Sequence, residues 1–213
     1  MQIIFATGNK NKLREIKAIL AGTDAQILSM GEAGFEGDIE ENGTSFEENA
    51  LIKARTIAKQ TGKLTLADDS GLVIDHLNGE PGIYSARYLG EDTPHSEKNK
   101  DLIRRLNGVP DEERSARFVC AVAAVFPDGS EQVVRKTMEG RIAYESAGTN
   151  GFGYDPIFYL PERGCTNAEL SPEEKNSISH RGKALRAMCE ILKESGYVRE
   201  DENGSEKKDP SGE

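Results

Sequence analysis

Hydrophobic and polar positions follow two rhythms along this chain of 213 residues. Ile3-Ile4-Phe5-Ala6 is a short apolar run closed by Thr7-Gly8-Asn9-Lys10-Asn11-Lys12, after which Leu13, Ile16 and Leu20 return at helical spacing. The first unit therefore reads strand, polar loop, helix. Ser45 and Glu48 have the spacing of a capping box, and Leu51, Ala54 and Ala58 carry an apolar stripe that Gly62 ends. Leu64 to Ala67 predicts a second strand that runs out into Asp68-Asp69-Ser70-Gly71, where the chain breaks before Leu72-Val73-Ile74. Thr93-Pro94 supplies a cap and a first-turn proline for a helix through Leu102, Ile103 and Leu106, with Gly108 near its end. Ala116 to Phe126 predicts a long buried strand, which Pro127-Asp128-Gly129-Ser130 turns into an antiparallel partner from Glu131 to Ile142. Ala147 to Pro156 is glycine-rich, and Ser179 caps a last helix with Leu185, Met188, Cys189 and Leu192 on one face. Strands alternating with helices, together with one long hairpin, predict an α/β protein with a mixed sheet.

Composition narrows the classes. The longest unbroken apolar run, Phe118 to Phe126, is far shorter than the roughly 20 residues of a spanning helix, so no membrane partner is expected. Lys and Arg number 27 against 37 Asp and Glu, and the resulting net charge of −10 disfavours a nucleic-acid partner gripped by its backbone. An anionic small molecule stays open where positive groups converge. Three distant cysteines, Cys120, Cys165 and Cys189, form no C-x-x-C pair and predict neither a disulfide framework nor a zinc site. The start of the chain shows no cleavable leader pattern, which predicts a cytoplasmic protein. From Arg199 onward Glu, Asp, Lys, Gly and Ser dominate, so we divide the chain into one folded domain, 1–198, and a disordered charged tail, 199–213.

Four clusters carry candidate chemistry. The loop Thr7 to Lys12 offers backbone N–H groups, a hydroxyl, two amides and two ammonium groups, a set that suits phosphate. It lacks the spacing of a P-loop, and an ordinary polar turn uses the same residue types. Asp68 and Asp69 follow an apolar strand, where open α/β sheets keep their ligands. Adjacent carboxylates repel, and a hard cation such as Mg2+ relieves that repulsion, leaving one carboxylate to take a proton from water; a solvated turn is the alternative use. Glu40-Glu41, just before the capped helix, could add a metal oxygen. Phe152 and Tyr154, within Gly151-Phe152-Gly153-Tyr154-Asp155-Pro156, expose rings that can stack a planar base or pack a sheet edge. Ser179-His180-Arg181 opens the last helix, where cations oppose the dipole unless an anion or carbonyl oxygen is held there, and Lys175 adds a donor.

In chain order these clusters, with Pro81-Gly82-Ile83-Tyr84-Ser85-Ala86-Arg87-Tyr88 and Glu174-Lys175-Asn176, resemble the non-canonical purine NTP pyrophosphatases, the inosine triphosphate/xanthosine triphosphate pyrophosphatase family, over roughly residues 1–195. The resemblance implies two lobes around a central cleft, with helices on the faces of a mixed twisted sheet. It further implies hydrolysis of ITP, dITP and XTP to the monophosphate and pyrophosphate, with Mg2+, as a homodimer. Carried over, Thr7, Gly8, Asn9, Lys10, Asn11 and Lys12 bind the phosphate chain, Asp69 is proton acceptor and metal ligand, and Glu40 is the second metal carboxylate. Ser70 touches substrate, while Phe152, Gly153, Tyr154, Asp155, Lys175, His180 and Arg181 surround base and sugar. A non-hydrolysing nucleotide-binding module and a metal-dependent phosphatase acting on a terminal phosphate are the two readings from other classes.

Overall fold

The computed structural model describes residues 1–200. Its spine is a seven-stranded mixed sheet in the order β2-β1-β3-β4-β5-β6-β7. The strands are β1 (Gln2–Phe5), β2 (Gln26–Ser29), β3 (Thr65–Ile74), β4 (Ser115–Val125), β5 (Glu131–Ile142), β6 (Phe158–Leu160) and β7 (Cys165–Thr166). β1 runs parallel to β2 and β3, and every other neighbouring pair is antiparallel. The helices are α1 (Lys10–Ile19), α2 (Phe46–Thr61), α3 (His95–Arg105), α4 (Pro172–Ile178) and α5 (His180–Glu194).

Side chains alternate across β1, β3 and β4, so each face of the sheet needs its own cover. On one face Ile3, Phe5, Leu66 and Val122 pack with Ile16 of α1 and Leu185, Met188 and Leu192 of α5. On the other, Ile4, Ala67, Ala121 and Ala123 pack against Phe46, Ala50, Ala54 and Ile57 of α2. A third cluster, with Leu72, Phe118, Met138, Phe158 and Leu102 of α3, fills the far end of the hairpin and makes the second lobe. Cys120 and Cys189 lie in the first cluster as small apolar residues.

The structure revises several local expectations. β3 does not stop at Ala67: it continues through both aspartates to Ile74, paired throughout with β4 from Val125 to Ala116. Two carboxylates inside a strand defeat a hydropathy reading, and pairing with β4 carries the strand past them. The buried face of α2 runs through Phe46, Asn49, Ala50, Lys53, Ala54 and Ile57, about one position away from the stripe marked by Leu51 and Ala58. The Ser45 box is half closed: Ser45 Oγ accepts from Glu48 N–H, but the Glu48 carboxylate accepts from Thr44 N and Oγ1 instead. Pro94 is the N-cap of α3 rather than its first residue. The short strands β2, β6 and β7 and the seven-residue helix α4 lack enough positions to show a period. Arg199 N–H donates to Asp24 Oδ1 at 2.8 Å and Glu200 bridges Thr23, whereas the rest of the expected tail, 201–213, lies outside the described residues.

Candidate active site

Between the lobes lies a cleft of about 870 Å³, walled by the loop after β1, the middle of β3, the segment before α2, the turn after β5 and the start of α5. The loop after β1 brings Thr7, Gly8, Asn9 and Lys12 to this wall, while Lys10 and Asn11 point elsewhere and do not line it. Asn9 caps α1, its carboxamide oxygen accepting from the N–H groups of Asn11 at 2.9 Å and Lys12 at 3.2 Å. Those two backbone N–H groups, counted from sequence among the donors for phosphate, are therefore already engaged.

Strand alternation separates Asp68 from Asp69. Asp68 points toward α1 and α5, where its Oδ2 meets Lys12 Nζ at 3.0 Å and Arg181 Nε at 3.3 Å. Burial alone would raise its proton affinity, but Lys12, Arg181 and Lys53 outweigh that and hold the carboxyl well below the usual range. Asp69 faces α2 and the cleft. Its Oδ1 accepts from Ser70 N–H at 2.9 Å and its Oδ2 from Asn49 Nδ2 at 3.1 Å, with Lys53 Nζ at 3.9 Å from Oδ1. Here burial prevails over Lys53 and Lys12, and Glu41 adds repulsion, so the Asp69 carboxyl sits above its ordinary value. The adjacent pair is thus turned to opposite faces of the strand, with Lys12 and Lys53 acting on both carboxylates and Arg181 on Asp68.

The acidic segment before α2 places Glu40 and Glu41 in the wall. Glu41 Oε1 accepts from Lys53 Nζ at 2.9 Å, so Lys53 stands between Glu41 and Asp69; Glu40 is exposed and joins no ion pair among the described residues. A lysine ammonium between two carboxylates marks a spot that calls for positive charge. No group of three His, Cys, Asp or Glu among the described residues could hold a metal by itself. One or two carboxylates in an all-oxygen set, with the remaining positions left to phosphate and water, is how Mg2+ is commonly held, and the residues fit it.

The opposite wall is an ion-pair chain that the sequence does not reveal. Lys175 Nζ sits 2.8 Å from Asp155 Oδ2 and 2.9 Å from Glu15 Oε1, and Glu15 also pairs with Arg181 Nη1. Arg181 Nη2 donates to Ser70 Oγ at 2.9 Å. Burial pushes Glu15 up, but Arg181 and Lys175 together hold it below its ordinary value. The anion that the positive start of α5 demands is therefore supplied in part by the protein, by Asp68 and Glu15. His180 stacks on Phe118 with ring centroids 4.8 Å apart, and its buried Nδ1 has no partner. Burial, with Arg181 and Lys175 nearby, drives its proton affinity well below the ordinary value, so the ring is neutral.

Phe152 is half-buried, with Lys175 Nζ 4.7 Å from its ring centroid. Tyr154, expected to be exposed, is buried: its hydroxyl donates to Ser85 O at 2.6 Å, and burial pushes its proton affinity up. Gly153 lines the cleft beside it, and Asp155 ties the loop down by accepting from Phe152 N–H at 2.8 Å and Asn167 Nδ2 at 2.6 Å. Gly71 has a steric cause, since a Cβ there would lie 2.3 Å from Gly82 O and 2.5 Å from Ser85 Oγ. Its absence lets the 82–85 turn seat against β3 and close the cleft floor. Asn49, Lys53 and Glu15 are the members that sequence reasoning missed. Asn49 and Lys53 did leave a trace, as polar residues four apart on the buried face of α2.

Comparison with known proteins gives one consistent answer. The sequence pattern of the Ham1 family matches residues 3–191. A dITP/XTP pyrophosphatase from Bacillus licheniformis is 49% identical over 191 residues, covering 90% of this chain and 97% of that one. The protein of the same name from Geobacillus kaustophilus is 47% identical over 193 residues, 91% and 95% of the two chains. Among solved structures, a HAM1 protein from Coxiella burnetii superposes with a TM-score of 0.83 at 43% identity, covering 91% of this chain and 99% of that one. A nucleoside-triphosphatase, dITP/XTP pyrophosphatase, from Mycobacterium abscessus superposes with a TM-score of 0.72 at 45% identity, covering 88% and 98%.

Proposed function

This chain belongs to the Ham1 family, and we propose that it hydrolyses the non-canonical purine nucleotides ITP, dITP and XTP to the monophosphate and pyrophosphate, keeping these bases out of DNA and RNA. The observation that carries the reading is the Asp69 carboxylate, held by Asn49 and Ser70 and facing a cleft whose walls also hold Lys12, Lys53, Lys175 and Arg181. Its raised proton affinity suits a group that takes a proton from water, while Asp68 stays ionised and holds two cations in place.

In this reading Asp69 orients a water toward the α-phosphorus and accepts its proton as the bond to the bridging oxygen breaks and pyrophosphate leaves. No covalent enzyme intermediate is needed. Mg2+, held by Asp69 and Glu40, would neutralise charge on the phosphate oxygens when bound. Lys12, with Thr7, Gly8 and Asn9 around it, takes the phosphate chain, and Lys10 and Asn11 act at longer range from the loop's outer side. Ser70, Phe152, Gly153, Tyr154, Asp155, Lys175, His180 and Arg181 surround base and sugar, with Tyr154 and Asp155 acting by holding the loop. Selection falls at C6 of the purine, where inosine and xanthine carry an oxygen acceptor and adenine an amino donor. Arg181 uses three N–H groups internally and keeps two for that oxygen.

We extend the reading to a homodimer working in the cytoplasm, with neither membrane nor nucleic acid as partner. The net charge of −10 supports the last point, and no helix among the described residues is long and apolar enough to cross a membrane. The deciding experiment incubates the protein with Mg2+ and ITP, XTP or ATP and identifies the products. Pyrophosphate from ITP and XTP, with little from ATP, is expected. Orthophosphate would make it a terminal phosphatase, and no product would make it a binding module.

A further inference from the structure

Asn49 is fully buried on α2, is absent from the cleft wall, and makes two hydrogen bonds that face opposite ways. Its Oδ1 accepts from Gly43 N–H at 2.9 Å, and its Nδ2 donates to Asp69 Oδ2 at 3.1 Å. Gly43 N–H can only donate, so the atom facing it must be the amide oxygen, and the nitrogen is thereby turned to Asp69. Gly43 belongs to the segment that carries Glu40 and Glu41. Its close approach to α2 is what makes it glycine: a Cβ there would stand 2.7 Å from Asn49 Oδ1 and 2.8 Å from Glu48 Cβ.

We infer that Asn49 is a positioning residue that fixes Asp69 relative to the acidic segment, a role that rests on the pyrophosphatase reading of the cleft. One planar amide spans the gap between the catalytic strand and the backbone beneath Glu40 and Glu41. Because the amide can satisfy Gly43 in only one orientation, it always presents a donor to Asp69 and holds that carboxylate in one rotamer. Asn49 does not itself line the cleft and reaches it only through Asp69, so its removal acts on turnover and not on the grip on nucleotide.

The test uses Asn49→Ala, Gly43→Ala and the double variant, with folding checked by circular dichroism. Parent turnover of ITP to pyrophosphate tests the reaction itself, so a failure there is seen without any variant. Misplacement of a reacting group by about 1 Å is worth about 10²-fold, so Asn49→Ala is expected to lower kcat by about that factor with KM within about threefold of the parent. Gly43→Ala, whose methyl displaces Asn49 from outside the cleft, is expected to lower kcat in the same way. The double variant is expected to lose less than the product of the two single losses, because the clash with Asn49 Oδ1 is common to both while the approach to Glu48 Cβ belongs to Gly43→Ala alone. Unchanged kcat in Asn49→Ala, a loss carried by KM, or fully additive losses would overturn the assignment. A crystal structure of Asn49→Ala decides it without turnover: displacement of the Asp69 carboxylate from its place against α2 supports it, and an unmoved Asp69 refutes it.

Discussion

The carboxylates of Asp68 and Asp69 leave β3 on opposite faces, and their proton affinities are displaced in opposite directions. One peptide bond separates a carboxylate held ionised by Lys12 and Arg181 from one that burial makes readier to take a proton. A pair of like groups pushed apart in this way divides labour between charge and proton transfer. Four predictions test the consequences.

Asp69→Asn keeps the size of the side chain and an acceptor for Ser70 N–H, but it sets an NH2 against the Asn49 donor and can no longer accept a proton. General-base catalysis is worth about 10²–10⁴-fold, and kcat for ITP is expected to fall by that much with the melting temperature close to the parent's. Turnover within about tenfold of the parent in a folded variant would remove Asp69 from the role.

Lys12 and Lys10 lie two residues apart and are expected to behave differently. Lys12 lines the cleft against Asp68, whereas Lys10 is exposed and outside it. Lys12→Ala forfeits a charge-assisted bond to phosphate, about 1.5–3 kcal/mol, and should raise KM for ITP roughly ten- to a hundredfold. Lys10→Ala should change it by much less. Equal effects, measured by steady-state kinetics, would mean that the loop rearranges around the nucleotide.

Arg181→Ala should cost both stability and selectivity. Its side chain is buried between Glu15, Asp68 and Ser70, and removing it leaves two buried carboxylates short of a partner, worth about 3–5 kcal/mol. Urea denaturation reads that loss. The ratio of kcat/KM for ITP over ATP should also fall, by about ten- to a hundredfold, because only the C6 oxygen accepts its spare N–H groups. An unchanged ratio would place base selection elsewhere.

Stability should decline as pH falls below 6.5, and His180 should be a cause. The folded ring has a proton affinity well below 6.5, so under that pH the unfolded chain takes up a proton that the folded one refuses. The contribution is fully present above 6.5 and is lost toward acid at up to about 1.4 kcal/mol per pH unit. Glu15, held below its ordinary 4.5, adds a loss only at lower pH still. Melting temperatures from neutrality down to 4.5 should fall less steeply in His180→Asn than in the parent. Parallel curves would show that the ring is readily protonated in the fold.

The legible parts of this molecule were those whose residues obey one local rule. Pro127-Asp128-Gly129-Ser130 between two strand-forming runs could be only a turn, and β4 and β5 pair as expected from it. Ser179 followed by a single apolar face gave α5, with Ser179 Oγ accepting from Gly182 N–H. What stayed hidden were residues whose local chemistry is overruled at long range. Asp68 and Asp69 read as a turn because nothing nearby in sequence shows that Arg181, 113 residues from Asp68, will neutralise one of them. Asn49 and Lys53 went unmarked because the apolar stripe was drawn through Leu51, Ala54 and Ala58, about one position away from the face that the sheet buries. Glu15 sits 160 residues from Lys175, so no window of sequence could join them.

That pairing also bears on which molecules the cleft admits. Lys12, Lys53, Lys175 and Arg181 each already face a carboxylate before anything binds. An empty cleft so arranged is close to electrically silent, in a chain that is strongly acidic overall. Passing polyanions find little bare positive surface to rest on, and loose electrostatic attraction cannot hold them. A compact ligand that reaches inside can exchange partners, taking Lys12 while Asp68 keeps Arg181. On the proposed function, such a site would sort its visitors by how their charge is distributed before it reads the base.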